Sequence, residues 1–182
     1  ARASAVVVWE EQPTKLAMME GQYDTEAPPL YAFGWVDEES GEVIAPFSIP
    51  GGTSFLATGT WDTEYPGLND LAETEKYGAM DPADLPVNFV FQSYHLMAIL
   101  AIVFTFKGGR VKKMRWLQKL LLISPLFPLI AINTGWITAE VGRQPWVVYP
   151  SVSGPEGVEL LTDNAISMSV SAPELLTTLA LF

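Results

Sequence analysis

Long apolar stretches alternate with long polar stretches along the chain, and this alternation predicts where its helices and loops lie. The stretches 88–106 and 116–140 are rich in apolar residues, and each is long enough to cross a bilayer, because about 20 helical residues span a hydrocarbon core of roughly 30 Å. Apolar stretches at 1–9 and 164–182 predict the end of one membrane helix and a truncated further one. We therefore expect an internal fragment of a larger membrane protein.

Three polar segments separate these stretches, and their charges predict an orientation. Residues 10–87 contain 16 of the 21 acidic residues, whereas the hairpin 107–115 contains five of the ten basic ones. Because cytoplasmic loops are rich in Lys and Arg, 107–115 is predicted to be cytoplasmic, and 10–87 and 141–163 to lie outside. The predicted fold class is all-α: an integral membrane helical bundle fragment with an irregular, acidic extracytoplasmic loop containing short helices. A soluble helical domain with two unusually apolar helices is the alternative.

The composition excludes several classes of function. A net charge of −11 and a pI near 4.4 repel phosphate and argue against a nucleic-acid partner. Without cysteine, the chain has no disulfide, thiolate zinc site or iron–sulfur cluster. A mean hydropathy of +0.22 in so acidic a chain indicates that charged and apolar residues are segregated.

Two residues of the stretch 88–106 have side chains that ligate haem iron without carrying charge, His95 and Met97. Polar groups inside a bilayer are costly, which makes them functional candidates. The alternatives are packing for Met97 and an interhelical hydrogen bond for His95.

Polar, charged and aromatic residues follow one another at the end of the second apolar stretch. Glu140 could serve there as a proton gate, a metal ligand or a partner for Arg143, which could itself hold a carboxylate such as a haem propionate. The alternative is interfacial anchoring, with Trp146 in the aromatic belt.

A helix is predicted near the start of the acidic segment, where Pro13 suits a first turn. Lys15 and Glu20 are five residues apart and therefore displaced around this helix rather than stacked. They could flank a polar ligand at the membrane edge, or they could belong to a solvated helix face.

Three segments together carry a resemblance to a known family. They are Gln-Pro-Thr-Lys-Leu-Ala-Met-Met-Glu at 12–20, Phe-Gln-Ser-Tyr-His-Leu-Met at 91–97 and Gly-Trp-Ile-Thr-Ala-Glu-Val-Gly-Arg-Gln-Pro-Trp at 135–146. In this order they resemble subunit I of cytochrome bd-type ubiquinol oxidases. The Gly-Arg-Gln-Pro-Trp sequence is a signature of that family, and the resemblance covers essentially all of 1–182.

The resemblance implies a quinol:oxygen oxidoreductase of the prokaryotic cytoplasmic membrane. Family members oxidise quinol near the outer face and pass electrons through a low-spin haem b to a high-spin haem b and haem d. Oxygen is reduced to water there, and a proton-motive force is generated. The acidic segment 10–87 resembles the quinol-binding loop, in which Lys15 and Glu20 match residues implicated in quinol binding. The implied partners are oxidase subunit II, a small accessory subunit and membrane lipid.

The resemblance also assigns roles to the haem-side residues. Met97 matches the axial ligand of the low-spin haem b iron, and Glu140 matches the glutamate at the high-spin haem b iron. Trp136 matches a tryptophan among the haems, and Arg143 matches an arginine beside the propionates. His95 departs from the family, which usually has arginine there, so it is a further candidate cofactor-binding residue that could compete with Met97.

Two other functions stay open beside the oxidase. One is a transporter or channel segment whose polar membrane residues line a substrate path. The other is a haem-free relative that keeps the quinol loop. Haem absorbance in the full-length protein would separate the oxidase from both.

Overall fold

A computed structural model describes residues 2–105, 125–150, 152–153, 155, 157–165 and 169–181. Within these ranges the chain forms seven α-helices and two separate two-stranded antiparallel sheets. The helices are α1 (Arg2–Glu11), α2 (Pro13–Glu20), α3 (Gly52–Thr58), α4 (Leu68–Ala72), α5 (Val87–Thr105), α6 (Leu126–Val141) and α7 (Ala172–Leu181). The strands are β1 (Leu30–Asp37), β2 (Glu42–Ile49), β3 (Trp146–Val148) and β4 (Leu160–Leu161).

Strands β1 and β2 form a hairpin inside the acidic segment. The aromatic residues of β1 and the β-branched residues Val36, Val43 and Ile44 favour an extended backbone. Val36 pairs with Val43 on the inner face, where Val36 is buried, whereas Trp35 pairs with Ile44 and both are exposed. The inner face packs against α5. The hairpin therefore forms one wall of the region in which the candidate residues lie.

The prediction of an all-α integral membrane bundle is wrong. The segment expected to be an irregular loop with short helices contains the β1–β2 hairpin, and a second two-stranded sheet joins β3 to β4. The aromatic residues Tyr31, Phe33 and Trp35 occupy every second position of β1, which is the period of a strand.

The described parts of the chain contain no helix that is both long and apolar enough to cross a membrane. Helix α5 coincides with most of the predicted span 88–106, but polar residues occupy its first half. Helix α6 coincides with the later part of 116–140 and has 16 residues, about 24 Å at 1.5 Å per residue. The hairpin 107–115 and the beginning of the second predicted span lie outside the described residues.

The core lies where α2 and α5 pack together beneath the hairpin. Met18 and Phe91 have no exposed surface, and each buries an area that contributes a few kcal/mol to stability. Gly21 ends α2 with φ +67°, and a Cβ there would lie 2.8 Å from Val43 Cγ2 and 2.9 Å from Val36 Cγ2. Only glycine allows this close approach, which places the C-terminus of α2 directly under the hairpin.

Candidate functional site

Helix α2 carries both residues that the sequence linked to a polar ligand. Pro13 begins the helix, where its missing N–H costs nothing, and all eight residues are buried. Lys15 is 9% exposed and Glu20 is 2% exposed. The alternative of a solvated helix face is therefore wrong, because α1, α4 and α5 pack around α2.

Glu20 lines a cavity of about 190 Å³ to which α1, α2, α3 and α5 each contribute residues. Val8, Thr53, Leu56 and Tyr94 surround the carboxyl group from the other three helices. Among the described residues, neither carboxyl oxygen of Glu20 accepts a hydrogen bond of ordinary geometry, because the nearby Thr53 hydroxyl donates to the Pro29 carbonyl oxygen at 3.2 Å. The cavity thus presents an unpartnered carboxyl group to anything that enters it.

Burial controls the protonation of Glu20. Removing a carboxylate from water without a partner is costly, so the neutral form is favoured. Burial raises the pKa of Glu20 to about 8, and the neighbouring Thr53 side chain opposes the shift. A carboxyl group with this pKa can accept and release a proton near neutral pH, which is what a general base requires.

Lys15 faces the end of α6 rather than the Glu20 cavity. Its side chain lies on Gly142, where a Cβ would be 3.1 Å from Lys15 Cγ and 3.4 Å from Cε. Burial lowers the pKa of Lys15, and the nearby Arg143 lowers it further, while Glu140 raises it. The structure therefore brings a residue of the acidic segment beside two of the predicted haem-side residues.

Glu140 and Arg143 form an ion pair between Oε2 and Nη2 at the end of α6. Both side chains are at least one-third exposed, so the pair contributes about 0–1 kcal/mol to stability. Because the ion pair is weak, breaking it costs little free energy. Glu140 and Arg143 can therefore each bind a different partner.

Met97 and Trp136 meet different surroundings although α5 and α6 pack side by side. A Cβ at Gly135 would lie 2.7 Å from Met97 Sδ, so the glycine leaves the room that the thioether occupies. Trp136 is 67% exposed and lies one turn before Glu140, on the same face of α6.

The donor atoms of these residues fit a haem group. A methionine thioether is a ligand of haem iron, and a guanidinium such as that of Arg143 binds carboxylates such as propionates. The described residues contain no cluster of three or more His, Asp or Glu that would hold a bare metal ion.

His95 lies away from Met97 although the two residues are only two positions apart in the sequence. Such residues are about 200° apart around a helix, and Met97 contacts α6 whereas His95 faces the hairpin. His95 Nδ1 lies 2.8 Å from the Phe91 carbonyl oxygen, and the Phe91 ring stacks on the imidazole at 4.0 Å. The structure does not bring His95 to the place that the Met97 thioether occupies.

Tyr94 and Thr53 line the Glu20 cavity but were not among the candidate residues predicted from the sequence. Tyr94 is a polar residue in an apolar stretch, but so are Gln92 and Ser93, and the pattern does not distinguish among them. Thr53 had no local signal, because it reaches the cavity only through the position of α3 after the hairpin.

Comparisons with known proteins show the family of this chain. The family model for cytochrome bd terminal oxidase subunit I matches residues 1–182. The chain is 30% identical to cytochrome bd ubiquinol oxidase subunit 1 of Bacillus subtilis over 186 residues, covering 95% of this chain and 38% of that protein. It is 27% identical to cytochrome bd-II ubiquinol oxidase subunit 1 of Escherichia coli over 237 residues, covering 92% of this chain and 46% of that protein.

A solved structure is also similar. The bd oxidase from Geobacillus thermodenitrificans matches with a TM-score of 0.64 and 28% identity, covering 98% of this chain and 40% of that chain. The chain thus spans less than half the length of these relatives. Because the family model matches the whole sequence, the chain belongs to the cytochrome bd terminal oxidase subunit I family.

Proposed function

We propose that this chain carries the quinol-oxidising site of a bacterial cytochrome bd-type oxidase. The observation that carries the proposal is the Glu20 cavity, in which a buried carboxyl group without a partner has a pKa of about 8. Two relatives are named ubiquinol oxidase subunits, and oxidation of a quinol releases protons that a base must accept. The family and the cavity therefore support the same chemistry.

The residues of the cavity have separable tasks in this proposal. Glu20 Oε1 or Oε2 accepts a hydroxyl proton of the quinol, since these are the unpartnered oxygens that line the cavity. Apolar neighbours such as Val8 and Leu56 contact the ring and exclude water, which strengthens the hydrogen bond to the carboxylate. Lys15 places its side chain beside Gly142 and the Glu140–Arg143 ion pair at the end of α6.

In the same proposal, the haem-side residues bind and orient the haem groups. Met97 and Glu140 would hold the low-spin and high-spin haem b irons, Arg143 would bind propionates, and Trp136 would lie among these groups and haem d. When bound, haem supplies the one-electron acceptors and the centre at which oxygen is reduced to water. The Lys15 contact with Gly142 links quinol oxidation to this region.

The proposed setting is the bacterial cytoplasmic membrane. Segments 10–87 and 141–163 would face the outside and 107–115 the cytoplasm, so protons released at Glu20 would leave on the outer side. This release supports a proton-motive force. Oxidase subunit II and a small accessory subunit are the proposed protein partners.

Glu20→Gln in the full-length protein should block reduction of the haems by quinol but not by dithionite. The amide is nearly the same size as the carboxyl group but cannot accept the proton. Anaerobic visible spectra with each reductant measure the two routes. Glu75→Gln, which changes an exposed carboxylate, is the matched control. Rapid reduction of the haems by quinol in Glu20→Gln would contradict the proposal, and a spectrum without haem bands would favour the haem-free alternative.

Met97→Leu should change the low-spin haem b bands of the dithionite-reduced full-length protein and leave haem d bands in place. Leucine fills a similar volume beside Gly135 but has no sulfur to ligate iron. Difference spectra of membranes carrying each form measure the effect. Unchanged low-spin bands would show that the iron has a different ligand.

A further inference from the structure

A second cavity of about 250 Å³ lies between the β1–β2 hairpin and α5. Its lining is mostly apolar, with Leu30, Phe47 and Ile99 among the contributors. His95 also lines it and is 4% exposed. We call this space the His95 cavity. It combines an apolar body with one deeply buried nitrogen heterocycle.

The hydrogen bonding of His95 determines what the imidazole offers to this cavity. The Phe91 carbonyl oxygen can only accept, so Nδ1, which lies 2.8 Å away, must donate and carries the ring proton. The other nitrogen of the neutral ring, Nε2, is then an acceptor. It is buried and has no hydrogen-bond partner among the described residues. A buried acceptor of this kind is stabilised by an occupant that donates a hydrogen bond.

The aromatic neighbours of His95 fix the orientation of the ring. Phe91 stacks on the imidazole at 4.0 Å, and Tyr94 contacts it edge-on at 5.1 Å between ring centroids. Tyr31 approaches at 6.5 Å from the hairpin. With the ring held on several sides and Nδ1 bonded to the backbone, Nε2 keeps one direction.

The His95 cavity is adjacent to the Glu20 cavity. Tyr94 lines both of them, and Glu20 is close enough to Tyr94 and Tyr31 to act on them electrostatically. Two cavities that share a wall therefore present one unpartnered carboxyl group and one unpartnered nitrogen acceptor. A quinol has an apolar ring with hydroxyl donors at its edges, so the ring fits the apolar lining of the His95 cavity and a hydroxyl group fits the unpartnered Nε2.

We propose that the His95 cavity binds a quinol ring beside the Glu20 cavity, and that His95 Nε2 accepts a hydrogen bond from one of its hydroxyl groups. This inference rests on the proposed function and assigns to His95 a specificity role for the reduced, hydroxyl-bearing ligand. An occupant without hydroxyl donors leaves Nε2 unpartnered and binds less tightly.

The test compares binding of a short-chain ubiquinol and its dimethyl ether to anaerobic, fully reduced full-length oxidase. The wild-type protein should bind the quinol more tightly than the ether, which has no donor. His95→Leu should weaken quinol binding on the order of tenfold and leave ether binding unchanged. His95→Gln keeps an acceptor and should recover part of the loss. Equal weakening of both ligands by His95→Leu would overturn the proposal, as would equal binding of both by the wild type.

Two further readouts separate this proposal from other roles. Altered haem bands in His95→Leu with normal quinol binding would assign His95 to the haem and overturn the inference. Glu20→Gln is measured in parallel. If it abolishes quinol oxidation while His95→Leu binds quinol normally, the quinol site stands and the His95 role fails. If His95→Leu alone weakens quinol binding and Glu20→Gln oxidises quinol normally, the role of Glu20 fails instead.

Discussion

Glu20→Gln should remove the rise of quinol oxidation with pH and lower the rate at pH 9 by about 100-fold. In the wild-type protein the carboxyl group has a pKa of about 8, so the proton-accepting form increases with pH up to that value and then levels off. Glutamine has no such form at any pH. The two proteins should therefore differ least at pH 6 and most above pH 8.

Steady-state quinol oxidation by the full-length oxidase, measured from pH 6 to pH 9, checks this expectation. The matched control Glu75→Gln removes an exposed carboxylate of the same segment and should keep the wild-type profile. A Glu20→Gln variant that retains the rise near pH 8 would show that another group accepts the proton. A uniform loss at all pH values would indicate damaged packing rather than a lost base.

Glu20→Gln should also change how the free energy of unfolding depends on pH, in the direction set by the raised pKa of Glu20. Between about pH 4.5 and pH 8 the native protein keeps the Glu20 proton, whereas the unfolded chain loses it. Wild-type stability therefore falls with rising pH over this window, by at most about 1.4 kcal/mol per pH unit from this group. Glu20→Gln lacks that contribution, so its thermal unfolding should depend less on pH and should occur at a higher temperature above pH 8.

The sequence predicted the individual helices better than it predicted their surroundings. A continuous apolar run indicated a helix at 88–106, and α5 (Val87–Thr105) lies there. Local pattern was sufficient because a helix closes its hydrogen bonds within itself. The hairpin needed a partner strand, and its residues Trp35 and Ile44 meet only after the chain has turned back. The aromatic and β-branched residues of the two strands were present in the sequence, but they lay inside an acidic stretch that suggested a loop.

The candidate residues were identifiable by motif, but their environments were not. Nothing around Glu20 in the sequence indicates that α1, α3 and α5 enclose it, because those contacts are long-range. The contact of Lys15 with Gly142 joins opposite parts of the chain. The burial of both charged side chains is therefore a property of the tertiary structure. Because of this burial, α2 is not a surface helix, and the pKa of Glu20 is raised.

Gly51→Ala should destabilise the protein by about 2–5 kcal/mol and weaken quinol oxidation. Gly51 has φ +63°, a left-handed conformation that costs a residue with a Cβ about 1–2 kcal/mol. A Cβ there would also collide with the backbone carbonyl of Trp61, which cannot move aside as a flexible side chain would, and overpacking of this kind costs about 1–3 kcal/mol.

The substitution should also affect the Glu20 cavity, because Gly51 directly precedes α3. That helix presents Thr53 and Leu56 to the Glu20 cavity, and Ser54 Oγ fixes it by donating to the Thr63 carbonyl oxygen at 2.7 Å. A shift of α3 would admit water beside Glu20. The pKa of Glu20 should then move down towards its ordinary value, and the rise of quinol oxidation should move to lower pH.

Gly157→Ala provides the matched control for this prediction. Gly157 has φ +76°, but a Cβ there would meet nothing within 4 Å. It therefore carries the conformational strain without the collision, and should cost about 1–2 kcal/mol and leave the pH profile of quinol oxidation unchanged. Denaturation and pH profiles of both variants separate the two contributions. If Gly51→Ala were no more destabilising than Gly157→Ala, the close approach of Trp61 would not hold α3 in place, and the enclosure of Glu20 would need another cause.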